Sequence, residues 1–142
     1  MSDFDDDDES SEDIFANLVF HFLRQLEILA ETPEKQCEIL WYDNVGWELK
    51  NFFIRNANSV LNTEAGRLSP EQVRSISELL EAVTSVPGSV INVLNHKEDH
   101  LRAMSNPCWQ PIRVQARKLL FELAPLKRRA YITLGINSDL DN

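Results

Sequence analysis

Residues 69–83 have the sequence SPEQVRSISELLEAV, and this stretch decides the fold class. Ser69 is a typical helix N-cap, and Pro70 suits the first helical position because that position needs no N–H. Gln72 stands where a capping box places a glutamine. The apolar residues then recur at steps of three and four: Val73, Ile76, Leu79, Leu80 and Val83. The stretch therefore predicts an amphipathic helix.

The same start signal occurs twice more, at Thr32-Pro33 and at Asn106-Pro107. Each pair combines a side chain that accepts a hydrogen bond from the first turn with a proline whose φ already suits a helix. The second pair opens a helix that we expect to end before Pro125. These two pairs predict two further helix N-termini.

Helical periodicity covers most of the remaining chain. Further helices are predicted over residues 15–29, 33–41 and 44–61. Residues 89–104 allow two interpretations, one helix or a short helix and a turn, and only residues 131–134 resemble a strand. We therefore expect an all-α fold, an antiparallel bundle or a short helical stack of five to six helices.

Charge separates an acidic N-terminal segment from the rest of the chain, whose C-terminal third, residues 101–142, is basic with seven bases and three acids. Residues 1–13 hold eight acids and no base, and a run such as Asp5-Asp6-Asp7-Asp8 repels itself and buries nothing. They are predicted to be a disordered acidic tail, serving either for solubility or for contact with a basic partner or the basic C-terminal third of the chain. The helical domain is expected over residues 14–129, followed by a C-terminal tail over residues 130–142.

Composition favours a cytoplasmic protein. No stretch reaches the length of about 20 apolar residues that a membrane-spanning helix needs, and the acidic N-terminus is unlike a secretory signal. Cys37 and Cys108 follow no metal or redox spacing, so reduced thiols are preferred to a disulfide. We expect no membrane partner.

No pattern of catalytic residues emerges from the sequence. Glycine-rich phosphate loops and nucleophile elbows are missing. His96 and His100 would share one helical face, but no further zinc ligand lies nearby in the sequence, and residues 96–100 resemble a solvated face or turn. The expectation is a protein that is not an enzyme, with no catalytic residue, no cofactor and no metal.

The sequence also argues against nucleic acid as a partner. Six bases lie between Arg113 and Arg129, and phosphate contact is their obvious functional interpretation. Two observations argue against nucleic-acid binding. The sequence pI is 4.7, and the acidic residues 1–13 would compete with phosphate for the same arginines. We therefore expect no nucleic-acid binding.

Protein binding is the class that the sequence favours. Trp47 and Ile54 project away from the core stripe of their helix, and Val114 and Phe121 do the same in the last helix. Such side chains are either covered by a neighbouring helix or form an interaction patch. Trp41, Tyr42, Asp43 and Trp47 cluster at one helix junction, and tryptophan often dominates interface energies.

A resemblance to a known family rests on five pieces of the sequence. They are Phe22-Leu23 through Glu31, Thr32-Pro33-Glu34-Lys35-Gln36, Leu49-Lys50-Asn51-Phe52-Phe53, Leu68-Ser69-Pro70-Glu71-Gln72, and Asn106-Pro107-Cys108-Trp109 leading into Ile112 through Leu123. In this order the chain resembles small all-helical immunity proteins of bacterial contact-dependent growth inhibition and related polymorphic toxin systems. The resemblance spans roughly residues 20–124, and the acidic tail and residues 87–105 depart from it.

This resemblance implies a cytoplasmic antitoxin that neutralises a cognate toxin domain, often a nuclease, by forming a stoichiometric complex. Acidic side chains would steer a basic toxin, and aromatic side chains would slow its release. The expected partner-binding residues are Trp41, Tyr42, Asp43, Trp47, Glu48, Glu78 and Glu81. The alternative is a helical adaptor or regulatory module unrelated to toxins. The sequence leaves the oligomeric state open.

Overall fold

The computed structural model describes residues 2–41, 44–63 and 66–136, with side chains from Ser11 onward. The helices are α1 (Ser2–Leu29), α2 (Pro33–Ile39), α3 (Val45–Leu61), α4 (Pro70–Thr84), α5 (Gly88–Ile91), α6 (Lys97–Met104), α7 (Trp109–Glu122) and α8 (Ala124–Leu134). Among these residues there are no strands. The all-α class is therefore confirmed, while the described helices number eight rather than five to six.

The additional helices arise at two places. Residues 89–104 contain α6 and most of the four-residue α5, separated by a short connection, so the interpretation as a short helix and a turn comes closer than one helix. Pro125 lies in the first turn of α8, where a proline is tolerated, just after α7 ends at Glu122. Residues 131–134 are helical, and α8 continues past the boundary expected at residue 130.

Two of the three predicted caps are formed as expected. The Thr32 hydroxyl accepts from the backbone N–H of Lys35 at 3.2 Å. Ser69 and Gln72 form a complete capping box, with distances of 3.1 and 2.8 Å. Asn106 differs, because its side chain accepts from the N–H of Cys108 at 2.9 Å and α7 begins only at Trp109.

The acidic segment extends α1 instead of forming a disordered tail over residues 2–13. Two physical effects favour this helix. Extension of a helix that is already packed requires no new nucleation, and carboxylates near a helix N-terminus interact favourably with the helix dipole. The expected disordered tail is therefore only partly matched, because these residues are helical.

Glu12 fastens the acidic end of α1 to the body. Its carboxylate accepts from Arg129 Nη2 at 3.1 Å and also pairs with Arg67. The two guanidinium groups lie over the ring of Phe15, at 5.2 Å for Arg67 and 5.5 Å for Arg129. One of the two contacts expected of this segment, that with the basic C-terminal third, is therefore present at Glu12.

The core forms where α1 packs against α3, α7 and α8. The largest fully buried side chains include Trp109, Phe22, Phe53, Leu23, Leu26, Leu49, Ile76 and Leu119. Ile76, Leu79 and Val83 of α4 are buried as predicted, whereas Val73 is 40% exposed. The body is thus built around the long first helix, with α2 and α6 packed together beside it.

Candidate functional site

A groove of about 880 Å³ lies between α2 and α6, and we call it the α2–α6 groove. On the α2 side it is lined by Glu34, Cys37, Glu38, Trp41 and Val45. On the α6 side it is lined by Asn95, Lys97, His100 and Leu101. Its volume falls within the range of about 300–1,000 Å³ that is usual for ligand sites, so it accommodates several side chains of a partner.

Gln36 fixes the position of α2. Its side chain is fully buried, and its amide Nε2 donates to the carbonyl oxygens of Ile28 and Leu29, both at 3.0 Å. These carbonyls belong to the last turn of α1, where no intrahelical donor remains for them. The short helix α2 is therefore attached to the end of α1 by two hydrogen bonds, of which the one to Leu29 is buried and the one to Ile28 is partly buried.

Arg113 joins three helices, including the two that line the groove. It is 2% exposed, and its Nη2 donates to Gln36 Oε1 at 2.7 Å and to the carbonyl oxygen of Met104 at 2.5 Å. Burial, followed by the nearby charge of Arg117, lowers the pKa of Arg113. An arginine remains cationic even so. The contacts connect α2, α6 and α7, and thereby hold both walls of the groove.

His100 belongs to the floor of the groove. It is 4% exposed, and its Nε2 donates to Asn95 Oδ1 at 2.8 Å, which fixes the orientation of the ring. The prediction of a solvated face over residues 96–100 is therefore wrong at His100. The signal for its burial was its place beside Ala103 and Met104, which share its side of α6.

The Cys37 thiol also lies in the groove wall. Burial, followed by the negative charge of Glu34, raises the pKa of this thiol. A raised pKa keeps the thiol protonated near neutral pH, which is the opposite of what a nucleophile needs. Cys37 and Cys108 are both free thiols, and both are half-buried. Cys37 therefore acts as a small apolar surface of the groove.

The rim of the groove combines apolar and acidic groups. Trp41 is 75% exposed and Leu101 is 37% exposed. The exposed carboxylates of Glu34 and Glu38 stand one helical turn apart on α2, and Glu38 pairs with Lys35 at 3.5 Å. An exposed indole next to carboxylates is chemically suited to bind a protein surface.

Five of the seven partner-binding residues expected from sequence are described by the structure, and of these five only Trp41 lines the groove. Trp47 is 46% exposed in the first turn of α3, and Glu48 follows it half-buried. Glu78 and Glu81 are exposed on α4, which packs against α3 and α7. Tyr42 and Asp43 lie outside the described residues. The expected set is therefore spread over several elements.

The side chains that project away from the core stripes have different surroundings. Ile54 is half-buried against the core. Val114 is 53% exposed and Phe121 is 86% exposed on α7, so these two form an apolar surface that no helix of the described part of the chain covers. The basic side chains of Arg117 and Lys118 are exposed on the same helix.

The groove residues that the sequence did not single out are Asn95, Lys97 and Leu101, while His100 and Cys37 were considered only as metal ligands or thiols. Glu34 and Glu38 stand four residues apart on a predicted helix, which places them on one face but does not mark a groove. The helices α2 and α6 lie close together because of the buried contacts of Gln36 and Arg113. These two residues are 77 positions apart in the sequence. No local pattern carries that information.

Within residues 11–41, 44–63 and 66–136, no group of three or more His, Cys, Asp or Glu side chains is placed to hold a metal ion. No helix in the described part of the chain is both long enough and apolar enough to cross a membrane. Comparisons with protein-family models, with curated proteins and with solved structures find no match.

Proposed function

We propose that this chain is a cytoplasmic immunity protein that neutralises a cognate toxin domain by forming a stoichiometric complex with it. The observation that carries the proposal is Trp41, an indole that is 75% exposed at the mouth of the α2–α6 groove. Exposed tryptophans beside a concave surface are typical anchors of protein interfaces. The sequence resemblance supports a toxin as the partner. The exposed surface around Trp41 supports protein binding as the activity.

Charge supports the proposal as well. The formal net charge is −9, and six of the carboxylates lie in residues 3–9 of α1. A field of one sign accelerates encounter with a partner of the opposite sign, while apolar contacts at the interface mainly set the dissociation rate. The negative charge would therefore speed the association with a basic toxin domain, and the apolar contacts would slow its dissociation.

The test is growth of cells that express the toxin domain encoded beside this gene. We expect the intact chain to restore growth and to co-purify with the toxin domain in a one-to-one complex. A matched pair of variants, Trp41→Ala and Phe121→Ala, distinguishes the contribution of the groove to protection from that of the exposed aromatic surface on α7. Loss of protection is expected from Trp41→Ala only. Continued killing in the presence of the intact chain would refute the toxin as partner.

A helical adaptor unrelated to toxins is the second candidate, and the surface of Val114 and Phe121 on α7 favours it. An adaptor holds two partners at once, and this chain has an apolar surface on α7 in addition to the α2–α6 groove. The adaptor function predicts that Trp41→Ala and Phe121→Ala each abolish the binding of a different protein. The immunity function predicts that one partner is lost with Trp41→Ala and that none is lost with Phe121→Ala.

A further inference from the structure

We propose that the α2–α6 groove receives a cationic side chain, an arginine or lysine of the partner, with its alkyl stem against Trp41 and Leu101 and its charge beside Glu34. The inference rests on the proposed protein-binding function and names the chemistry that the groove selects. Its support is the distribution of charge and apolar surface around the groove.

Glu34 supplies the negative charge. Among the described residues its carboxylate lies within ion-pair distance of no cation, although the buried charge of Arg113 interacts with it over a longer distance, whereas the neighbouring Glu38 is paired with Lys35 at 3.5 Å. Glu34 is exposed on the first turn of α2 and lines the groove. A carboxylate in this position gains most from a cation brought by a partner, because binding then removes the pair from competing water.

Trp41 and Leu101 supply the apolar walls. The face of an indole attracts a cation electrostatically and also packs against alkyl groups. Arginine and lysine carry both features, since an aliphatic stem of three or four carbons ends in the charge. A purely apolar side chain would leave the Glu34 carboxylate to be desolvated without a partner, which is unfavourable.

Lys97 allows a test by the direction in which the affinity changes. Its side chain is exposed on the α6 side of the same groove, so it repels an incoming cation and would attract an anion. Neutralising Glu34 and neutralising Lys97 must therefore change the affinity in opposite directions. For an anionic ligand the two directions are reversed.

The experiment measures the dissociation constant of the purified, catalytically inactive toxin domain for the full chain and for single variants by calorimetry. Glu34→Gln should weaken binding about tenfold, and Lys97→Gln should tighten it about two- to fivefold. Trp41→Ala should weaken binding about thirtyfold or more. The control Glu122→Gln removes an exposed carboxylate at the end of α7 and should leave the dissociation constant unchanged.

The outcomes separate this inference from the function on which it rests. If the intact chain does not bind the toxin domain, the proposed function fails. If the intact chain binds but neither Glu34→Gln nor Lys97→Gln changes the affinity, the function stands and the cation-binding groove is refuted. Tighter binding by Glu34→Gln together with weaker binding by Lys97→Gln would show that the groove takes an anion, and would also refute the inference.

Discussion

At the scale of single residues, two buried side chains hold the groove together. Gln36 and Arg113 are both fully or almost fully buried, and each satisfies groups of another helix. Removing an acceptor from a buried arginine is destabilising, so Gln36 and Arg113 depend on each other. The geometry of the candidate site is therefore sensitive to changes at positions that no ligand touches.

Gln36→Leu is expected to lower the free energy of unfolding by about 3 kcal/mol. The substitution removes one acceptor from Arg113 and the side-chain donor to the carbonyl oxygen of Leu29. Urea unfolding followed by circular dichroism measures the change. As the matched control, Gln110→Leu at an exposed position of α7 should stay within about 0.5 kcal/mol of the parent chain. Equal effects of the two substitutions would contradict the role assigned to Gln36.

Glu12 gives stability a dependence on pH. Hydrogen bonding to Arg67 is the largest cause that lowers the pKa of Glu12 below its ordinary value of 4.5. Its folded-state pKa is therefore below its unfolded-state pKa. The resulting stabilisation is complete above about pH 5.5 and is lost as the pH falls below 4.5 towards the folded-state pKa.

Glu12→Gln should accordingly lower the free energy of unfolding at pH 7 by about 1 kcal/mol or less, because the carboxylate is partly exposed to solvent. The difference from the parent chain should shrink as the pH falls through 4.5. Urea titrations at several pH values measure it, with Glu122→Gln as the control that shows no such trend. A difference that stays constant with pH would mean that the Glu12 contacts do not stabilise the fold.

At the scale of secondary-structure elements, the close approach of α3 to α5 depends on Gly46. A Cβ atom at this position would lie 2.6 Å from Ile91 Cγ2 and 3.0 Å from Ile91 Cβ. Both atoms are part of a buried, branched side chain that cannot move aside. The glycine is kept in the first turn of a helix, despite its low helix propensity, because no larger residue fits.

Gly46→Ala should therefore destabilise the fold by about 1–3 kcal/mol, although alanine is the better helix former. Gly88→Ala is the matched control, since no atom lies within 4 Å of its added Cβ, and it should stay within about 0.5 kcal/mol. Thermal and urea unfolding of both variants measure the effect. Combining Gly46→Ala with Ile91→Ala should cost less than the sum of the single changes, and strict additivity would argue against the contact.

Local signals identified most of the elements. The capping box of Ser69 and the proline after Thr32 located the N-termini of α4 and α2 within one residue. Pro125 was misinterpreted, because a proline marks either the end of one helix or the first turn of the next. The helical state of residues 2–13 was missed, since composition alone does not reveal that a packed helix continues into them.

The candidate site was less predictable than the helices. Trp41 was recognised because it lies in a cluster at a helix junction and because tryptophan often dominates interface energies. Lys97, His100 and Leu101 carry no such signal, and their meeting with α2 requires the tertiary contact between Gln36 and Arg113. A sequence pattern describes one face of one helix. Predicting a groove requires the relative position of two helices, which such a pattern does not give.

At the scale of the whole molecule, acidic and apolar surfaces have different kinetic roles. Deleting residues 1–10 removes six carboxylates but keeps Glu12 and its contacts with Arg67 and Arg129. This deletion should slow association with the toxin domain and weaken its salt dependence, while the dissociation rate stays unchanged. Surface plasmon resonance at several salt concentrations measures both rates.

Deletion of residues 1–13 is the comparison variant, because it also removes Glu12. It should lower the melting temperature in addition to slowing association, whereas deletion of residues 1–10 should leave the melting temperature close to that of the intact chain. A faster dissociation after deletion of residues 1–10 would instead make the acidic end of α1 part of the stable interface.

The central claim is that a partner binds at the α2–α6 groove. Amide hydrogen exchange of the full chain, measured with and without the inactive toxin domain, tests this claim most directly. We expect slower exchange on binding in residues 33–41 and 95–104, which form the two walls of the groove. The surface of Val114 and Phe121 on α7 should be unaffected. Protection confined to α7, or to α4 around Glu78 and Glu81, would contradict the account.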